Sequence, residues 1–315
     1  MSLELFTNFT GEHGYVDLVK TIVTTGENRN NERTGVGTKS IFGATWGCDL
    51  QKEFPLFSIR EINWRAAIDE LLWFIQGNSS AEWFQKQGHK YWDPWLKQRL
   101  NGKKDFAGRI YGVQWRNWLS SSSRKTYLKS TDQLHHLLKR LKNDPESRRH
   151  VVTAWNPGEL DQMCLPPCHM IWQVYVRQGG FLDLVMYQRS ADMILGVPHD
   201  IVMYATLCHI LAHEVGLKVG TLRIMFGDTH VYNNHIEYVM ENWFKSHPGI
   251  AYSSTLDSAV AEHTFIKKHK PIFILDDSAQ QKIEKNDLPL LRYTPECFAI
   301  QNYDPYPSPK LKVAI

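Results

Sequence analysis

Three β-rich runs, at residues 149–155, 169–177 and 181–188, follow one another with no helix between them. A long, mostly apolar helical segment comes next, at 200–216, and then a strand-like run at 220–226. This order excludes a regular alternation of strand and helix and predicts a mixed α+β domain. Upstream, the pattern predicts a short amphipathic helix at 15–25, an Arg-Thr-Gly turn at Arg33–Gly35 and a strand at 37–51. A strong helix is expected at 66–76, where AAIDELLWFIQ carries apolar residues at helical spacing. Another helix, at 132–142, closes on Asn-Asp-Pro. Segments 98–108 and 119–130 read as polar loops, and the tail after 248 as short strands among prolines. No repeat and no linker interrupts the chain, so residues 1–315 read as one domain.

Composition narrows the classes of function. The 315 residues are 43% hydrophobic and 22% charged, ordinary values for a globular protein with a substantial core. A net charge of +3 suits a small anionic ligand but is too weak to predict a surface that coats nucleic acid. No apolar run has the length needed to cross a bilayer. The opening MSLELFTNFTGEHG lacks the basic and apolar regions of a signal peptide, so a cytoplasmic location is expected. Cys48, Cys164, Cys168, Cys208 and Cys297 are odd in number and scattered, which argues for free thiols.

One thiol stands in a distinctive setting, Leu165-Pro166-Pro167-Cys168-His169, between two strand-like runs. The prolines limit backbone freedom just ahead of the cysteine. A thiolate is a strong nucleophile, above all beside cations. The alternative is a buried cysteine at a strand start. Arg33, the pair Arg148 and Arg149 in DPESRRH, and Arg189 in YQRS all fall in turns or at strand ends. Arginine suits bidentate recognition of phosphate, so the four together suggest a phosphate site. Glu70 falls inside an apolar helix, where it either reaches the surface or sits in a site that raises its pKa. Asp192 and Asp200 flank a Leu-Gly-Val-Pro turn, and His230 and Tyr232 lie in GDTHVYNNH. His209 and His213 have the spacing of two metal ligands on a helix, but Glu214 does not complete the H-E-x-x-H pattern, so no metal is predicted.

The strings ELLWFIQG, YWDPW, YGVQWR, NDPESRR, AWNPGELD, LPPCH, YQRSADMILGVP, GDTHVYNNH and YDPYP, in this order, resemble the thymidylate synthase superfamily almost end to end. The resemblance implies a large mixed β-sheet packed with helices, one sheet face forming a homodimer interface with active sites shared between subunits. It implies 5,10-methylenetetrahydrofolate as co-substrate and a pyrimidine deoxynucleotide monophosphate as substrate, with no nucleic acid or membrane partner. By the same resemblance Cys168 attacks C6 of the pyrimidine. Arg33, Gln188, Arg189 and Ser190 bind the nucleotide, Arg148 and Arg149 reach the phosphate in the neighbouring subunit, and His230 and Tyr232 hold the sugar 3′-hydroxyl. Glu70 organises a proton network and Tyr111 assists proton removal from C5. Asp192 hydrogen-bonds the pterin, while Trp92, Leu165, Gly196 and terminal residues including Ala314 pack around the folate and shut out water.

One departure bears on the substrate. The family members that act on dUMP read L-G-x-P-F-N where this chain reads Leu195-Gly196-Val197-Pro198-His199-Asp200. Uracil offers a donor at N3 and an acceptor at O4, which an amide matches. Cytosine offers the reverse, which a carboxyl group sharing one proton with N3 matches. Against uracil, a carboxylate oxygen would face O4, and an unpaired buried polar group costs about 1–3 kcal/mol. The expected reaction is therefore methyl transfer to dCMP. Its rivals are hydroxymethylation of dCMP and ordinary thymidylate synthesis with a neutral change at Asp200. Asparagine could flip to match cytosine unless neighbouring groups fix it. His199 either bonds Asp200 or the base, or fills the space of the phenylalanine. Arg60-Glu61 stands where the family has Lys-Arg, and Lys312 where it often has proline. Trp92 and the terminal Val-Ala-Ile are those of methylating members, whose tail closes over the folate and excludes water.

Overall fold

A computed structural model of the chain describes residues 9–30, 35–99, 105–122, 125–245, 266–267, 270–308 and 310–312. The elements run β1 (Phe9–Thr10), α1 (Gly11–Thr25), β2 (Glu27–Arg29), β3 (Thr38–Asp49), α2 (Trp64–Gln76), α3 (Glu82–Lys86), α4 (Asp93–Arg99), α5 (Tyr111–Arg116), β4 (Trp118–Ser122) and β5 (Lys125–Thr131). They continue with α6 (Gln133–Asn143), β6 (Val151–Thr153), β7 (His169–Arg177), β8 (Phe181–Asp192), α7 (Gly196–Glu214), β9 (Lys218–Tyr232), α8 (Asn233–Val239), β10 (Ile272–Leu275) and β11 (Phe298–Gln301).

The main sheet has the strand order β1-β3-β9-β8-β7-β6, with β2 also pairing β3. It is mixed: β8 and β9 run parallel, whereas β3 with β9, β7 with β8 and β6 with β7 are antiparallel. The parallel pair is joined through α7, because two neighbouring parallel strands need a crossover. α7 carries buried residues all round, from Val197 to Ala212, as a helix enclosed by other layers must. Trp172, Val174, Leu184, Met186, Leu222, Ile224 and Phe226 alternate onto the sheet face that helices cover, and all are buried. On the other face Ile171, Tyr175, Val185 and Met225 stay exposed, Tyr175 at 56%.

Several boundaries differ from the pattern reading. α1 starts at Gly11, ahead of the expected residue 15, and α7 takes in Gly196 to His199. Pro198 does not prevent this, because the first turn of a helix has N–H groups with no partner in any case. The expected loop at 119–130 is largely the β4–β5 hairpin. Among the described residues its strands pair only with each other. They therefore lack the apolar alternation that betrays a strand packed on a core.

α2 begins where the Asn63 side chain accepts the N–H of Ala66, and it packs against α7 and α5. Gly112 makes the second contact close: a Cβ there would come within 2.3 Å of the Phe74 carbonyl oxygen. This closeness lets Tyr111 stack on Phe74, with ring centroids 4.8 Å apart. It also points the Tyr111 hydroxyl towards the loop before β7.

Candidate active site

Because β8 and β9 are parallel, their C-terminal ends share one edge of the sheet, where open sheets commonly take ligands. The start of antiparallel β7, the first turn of α7, α2 and α5 converge there. Cys168 is half-buried just ahead of β7. Its N–H donates to the Tyr111 hydroxyl oxygen at 2.8 Å. The Arg189 guanidinium donates through Nε to the Pro167 carbonyl and through Nη2 to the Pro166 carbonyl, both at 2.8 Å. Its Nη2 lies 3.9 Å from Cys168 Sγ. One cation thus holds the Pro-Pro turn and sits against the sulfur, a setting that favours thiolate.

Asp200, in the first turn of α7, faces this cluster. Its Oδ1 lies 3.1 Å from His169 Nε2, and its Oδ2 accepts from Gln188 Nε2 at 2.8 Å. Gln188 Nε2 also donates to the Ser190 carbonyl at 3.2 Å, which fixes the amide orientation. Each carboxyl oxygen keeps a free lone pair. His169 packs near Tyr111 and Tyr204. Glu70, only 7% exposed, accepts from Trp92 Nε1 and from the Tyr91 hydroxyl at 2.9 Å. Burial pushes its pKa up to about 7, against the pull of these two donors. Glu70 therefore lies in the interior and does not reach the surface. Burial, followed by the nearby Cys168, raises the Tyr111 hydroxyl well above its ordinary range, so it remains a proton donor.

At the end of β9, His230 and Tyr232 are buried and pack edge to face, 5.1 Å apart. Asp228 fixes the His230 ring through Nδ1 at 3.0 Å and is itself held by Ser40 and Arg29. Asp192 Oδ1 accepts the N–H groups of Ile194 and Leu195 at the turn into α7. Arg60, 2% exposed, spends its donors on the carbonyls of Ile194, Leu195 and Glu61. The change from Lys-Arg to Arg60-Glu61 therefore buries a guanidinium as a brace for that turn and leaves Glu61 exposed. His199 does not bond Asp200: its Nδ1 faces the Leu195 carbonyl at 2.9 Å, and burial lowers its pKa to about 4.

Arg148 and Arg149 are exposed in the turn before β6, and among the described residues neither bonds to Cys168 or Arg189. Arg33 and Ala314 lie outside the described residues. His209 and His213 point to different neighbourhoods. His209 packs against the stacked Phe54 and Phe273, and His213 pairs with Asp277 and Tyr293. Among the described residues no group of three or more His, Cys, Asp or Glu could hold a metal, and no helix is long and apolar enough to cross a membrane. All five cysteines are thiols, with no disulfide among the described residues.

A family model described as thymidylate synthase matches residues 13–315. The chain belongs to the thymidylate synthase family. It is 36% identical over 304 residues to a thymidylate synthase of Corynebacterium aurimucosum, across 96% of this chain and 98% of that protein. Thymidylate synthase family chemistry is folate-dependent methyl transfer to a pyrimidine C5, with 5,10-methylenetetrahydrofolate as co-substrate. The site fits that co-substrate. A Cβ at Gly196 would meet nothing nearer than the Asp192 Cβ at 3.7 Å, so the protein itself does not require glycine there. Space beside an acidic side chain is what a flat polar ring needs.

Two residues that contact the expected site residues escaped the sequence reading, although both stand in quoted motifs. His169 follows Cys168 in LPPCH, yet nothing in the string says that it meets Asp200. Tyr91 precedes Trp92 in YWDPW, and only the packing of that loop on α2 reveals its contact with Glu70.

Proposed function

We propose that this protein transfers a one-carbon unit from 5,10-methylenetetrahydrofolate to C5 of dCMP, giving 5-methyl-dCMP and dihydrofolate. The observation that carries the substrate is Asp200, a carboxyl group held by His169 and Gln188 with a lone pair free on each oxygen. These partners answer the problem of a flipping amide, because the orientation at position 200 is set by its neighbours. One oxygen accepts from the cytosine amine, and the other shares a proton with N3. Electron density that reaches N3 after addition at C6 is stabilised by that proton.

Cys168 adds to C6 as thiolate, aided by Arg189, and turns C5 into a nucleophilic carbon. C5 attacks the activated methylene of the co-substrate. Tyr111 and the Glu70 network take part in moving the C5 proton. The folate then leaves, hydride from it completes the methyl group, and elimination restores the thiolate. Asp192, Leu165, Gly196 and Trp92 line the folate side. Gln188, Arg189 and Ser190 on β8, with His230 and Tyr232 on β9, hold the nucleotide.

The test is incubation with 5,10-methylenetetrahydrofolate and either dCMP or dUMP, with nucleotide products read by mass and dihydrofolate by absorbance. The expected result is 5-methyl-dCMP and an equal amount of dihydrofolate from dCMP. Turnover of dUMP alone would remove the role given to Asp200. A product one oxygen heavier, without dihydrofolate, would replace methyl transfer by hydroxymethyl transfer.

The active unit in this reading is a homodimer. Ile171, Tyr175, Val185 and Met225 make an apolar sheet face of the kind that marks an interface. Arg148 and Arg149, exposed in the turn before β6, would serve the partner's phosphate site. An equal mixture of inactive Cys168→Ser and inactive Arg149→Ala subunits should regain roughly a quarter of native activity after subunit exchange, since half of random dimers hold one intact site. A mixture as inactive as its components would refute shared sites.

A further inference from the structure

We propose that Tyr91 is a positioning residue that holds Glu70 ready to give and take a proton, and that a buried Asp69–His89 pair fixes Tyr91 for this task. Asp69 and Glu70 are consecutive on α2, and His89, Tyr91 and Trp92 come from the segment just before α4. Three contacts between polar side chains are among those that join the two. His89 Nε2 meets Asp69 Oδ2 at 2.7 Å, with both side chains nearly buried. The Tyr91 hydroxyl reaches Glu70 Oε2 at 2.9 Å, and Trp92 Nε1 donates to Oε1. Each Glu70 oxygen therefore has one fixed donor.

The Tyr91 hydroxyl has a second acceptor in reach, the Ala66 carbonyl, but at 3.5 Å it is the poorer one. Its proton therefore goes to the carboxylate. Burial, then the charge of Glu70, keeps this phenol protonated well beyond its ordinary range. The residue is still 37% exposed, although its hydroxyl points inward to Glu70. The ring is wedged edge to face against Phe84, which also packs on His89. His89 and Asp69 thus set the wedge, and the wedge sets the hydroxyl.

The groups around Glu70 explain why the donor matters. Trp92 and Tyr91 face it from their shared segment, Asp200 and Tyr204 from α7, His169 from β7 and Tyr111 from α5. His199 lies beyond the Tyr91 ring, 6.4 Å between centroids. Burial and the Asp200 charge favour the neutral acid, and the two donors and His169 favour the carboxylate. The balance puts Glu70 near pH 7, where a group can both release and recover a proton. Loss of the Tyr91 hydroxyl removes one of the terms that favour the carboxylate, so the midpoint must rise.

This inference rests on Glu70 belonging to the reacting site, and its readout does not depend on turnover. The Glu70 carboxyl stretch is assigned by its disappearance in Glu70→Gln and titrated by difference infrared spectroscopy in the native protein and in Tyr91→Phe. The Glu70 midpoint should rise by about one pH unit in Tyr91→Phe, the scale of a hydrogen bond to a charged group. Nucleotide binding should stay within roughly twofold, and the acid limb of the kcat profile should move to higher pH with the infrared midpoint. An unchanged midpoint would overturn the proposal, whichever nucleotide the enzyme prefers. If Tyr91→Phe does not fold, His89→Gln serves instead, because it loosens the clamp and keeps the hydroxyl. Its midpoint must also rise, and a fixed value would count equally against the idea.

Discussion

Cys168→Ser should lower turnover by at least about 10⁴-fold, the scale of removing a covalent nucleophile, while nucleotide binding survives. The reason lies in what surrounds the sulfur. Arg189 Nη2, at 3.9 Å from Sγ, favours a thiolate but cannot ionise an alcohol to a useful degree. Arg189 does not depend on the sulfur for its position, since its Nε and Nη2 are fixed on the Pro167 and Pro166 carbonyls. The phosphate side of the site should therefore persist in the variant. Equilibrium binding of nucleotide and single-turnover product formation measure the two effects separately. Activity within tenfold of native would rule out covalent catalysis by this residue.

Asp200→Asn should swing the ratio of kcat/KM values for dCMP and dUMP by roughly 10³-fold towards dUMP, as expected where a site reads its substrate by hydrogen-bond pattern. Gln188 Nε2 is oriented by both Asp200 Oδ2 and the Ser190 carbonyl. An asparagine there is expected to turn its carbonyl oxygen to Gln188 and its NH₂ towards His169. The face shown to the base then offers a donor in place of one acceptor, which suits O4 of uracil. Competition between the two nucleotides in one reaction, read by mass, measures the ratio directly. An unchanged preference would move the origin of specificity away from position 200.

Much of this was legible in the chain because the chemistry is concentrated in short contiguous strings. Cys168, Arg189, Asp192, Asp200, His230 and Tyr232 all stand in motifs, and the structure gathers them at the common end of β7, β8 and β9 and the start of α7. Glu70 could be flagged as a carboxylate in an apolar helix, but not assigned to interior or surface, because periodicity does not say what covers a face. Its donors Tyr91 and Trp92 are more than twenty residues away in sequence and meet it only through tertiary packing. The sequence pattern likewise missed β4 and β5, since a hairpin that pairs only with itself shows no core-facing alternation. His199 and Arg60 were visible as departures from the family. Their actual partners, backbone carbonyls that lie mostly in the turn before α7, have no signature in side-chain identity.

The pairing of β3 with β9 has a consequence for how such a chain is made. Thr38 lies opposite Tyr232 and Asp49 opposite Thr221, so the longest antiparallel contact of the sheet joins segments that are far apart in sequence. During synthesis the first partner must wait for the second to emerge, and contacts of such long range slow folding. Until then one edge of β3 offers unpaired backbone groups to any neighbouring strand. A nascent or truncated chain that stops before Lys218 should for that reason depend on chaperones or aggregate, even though its nucleophilic cysteine is already present.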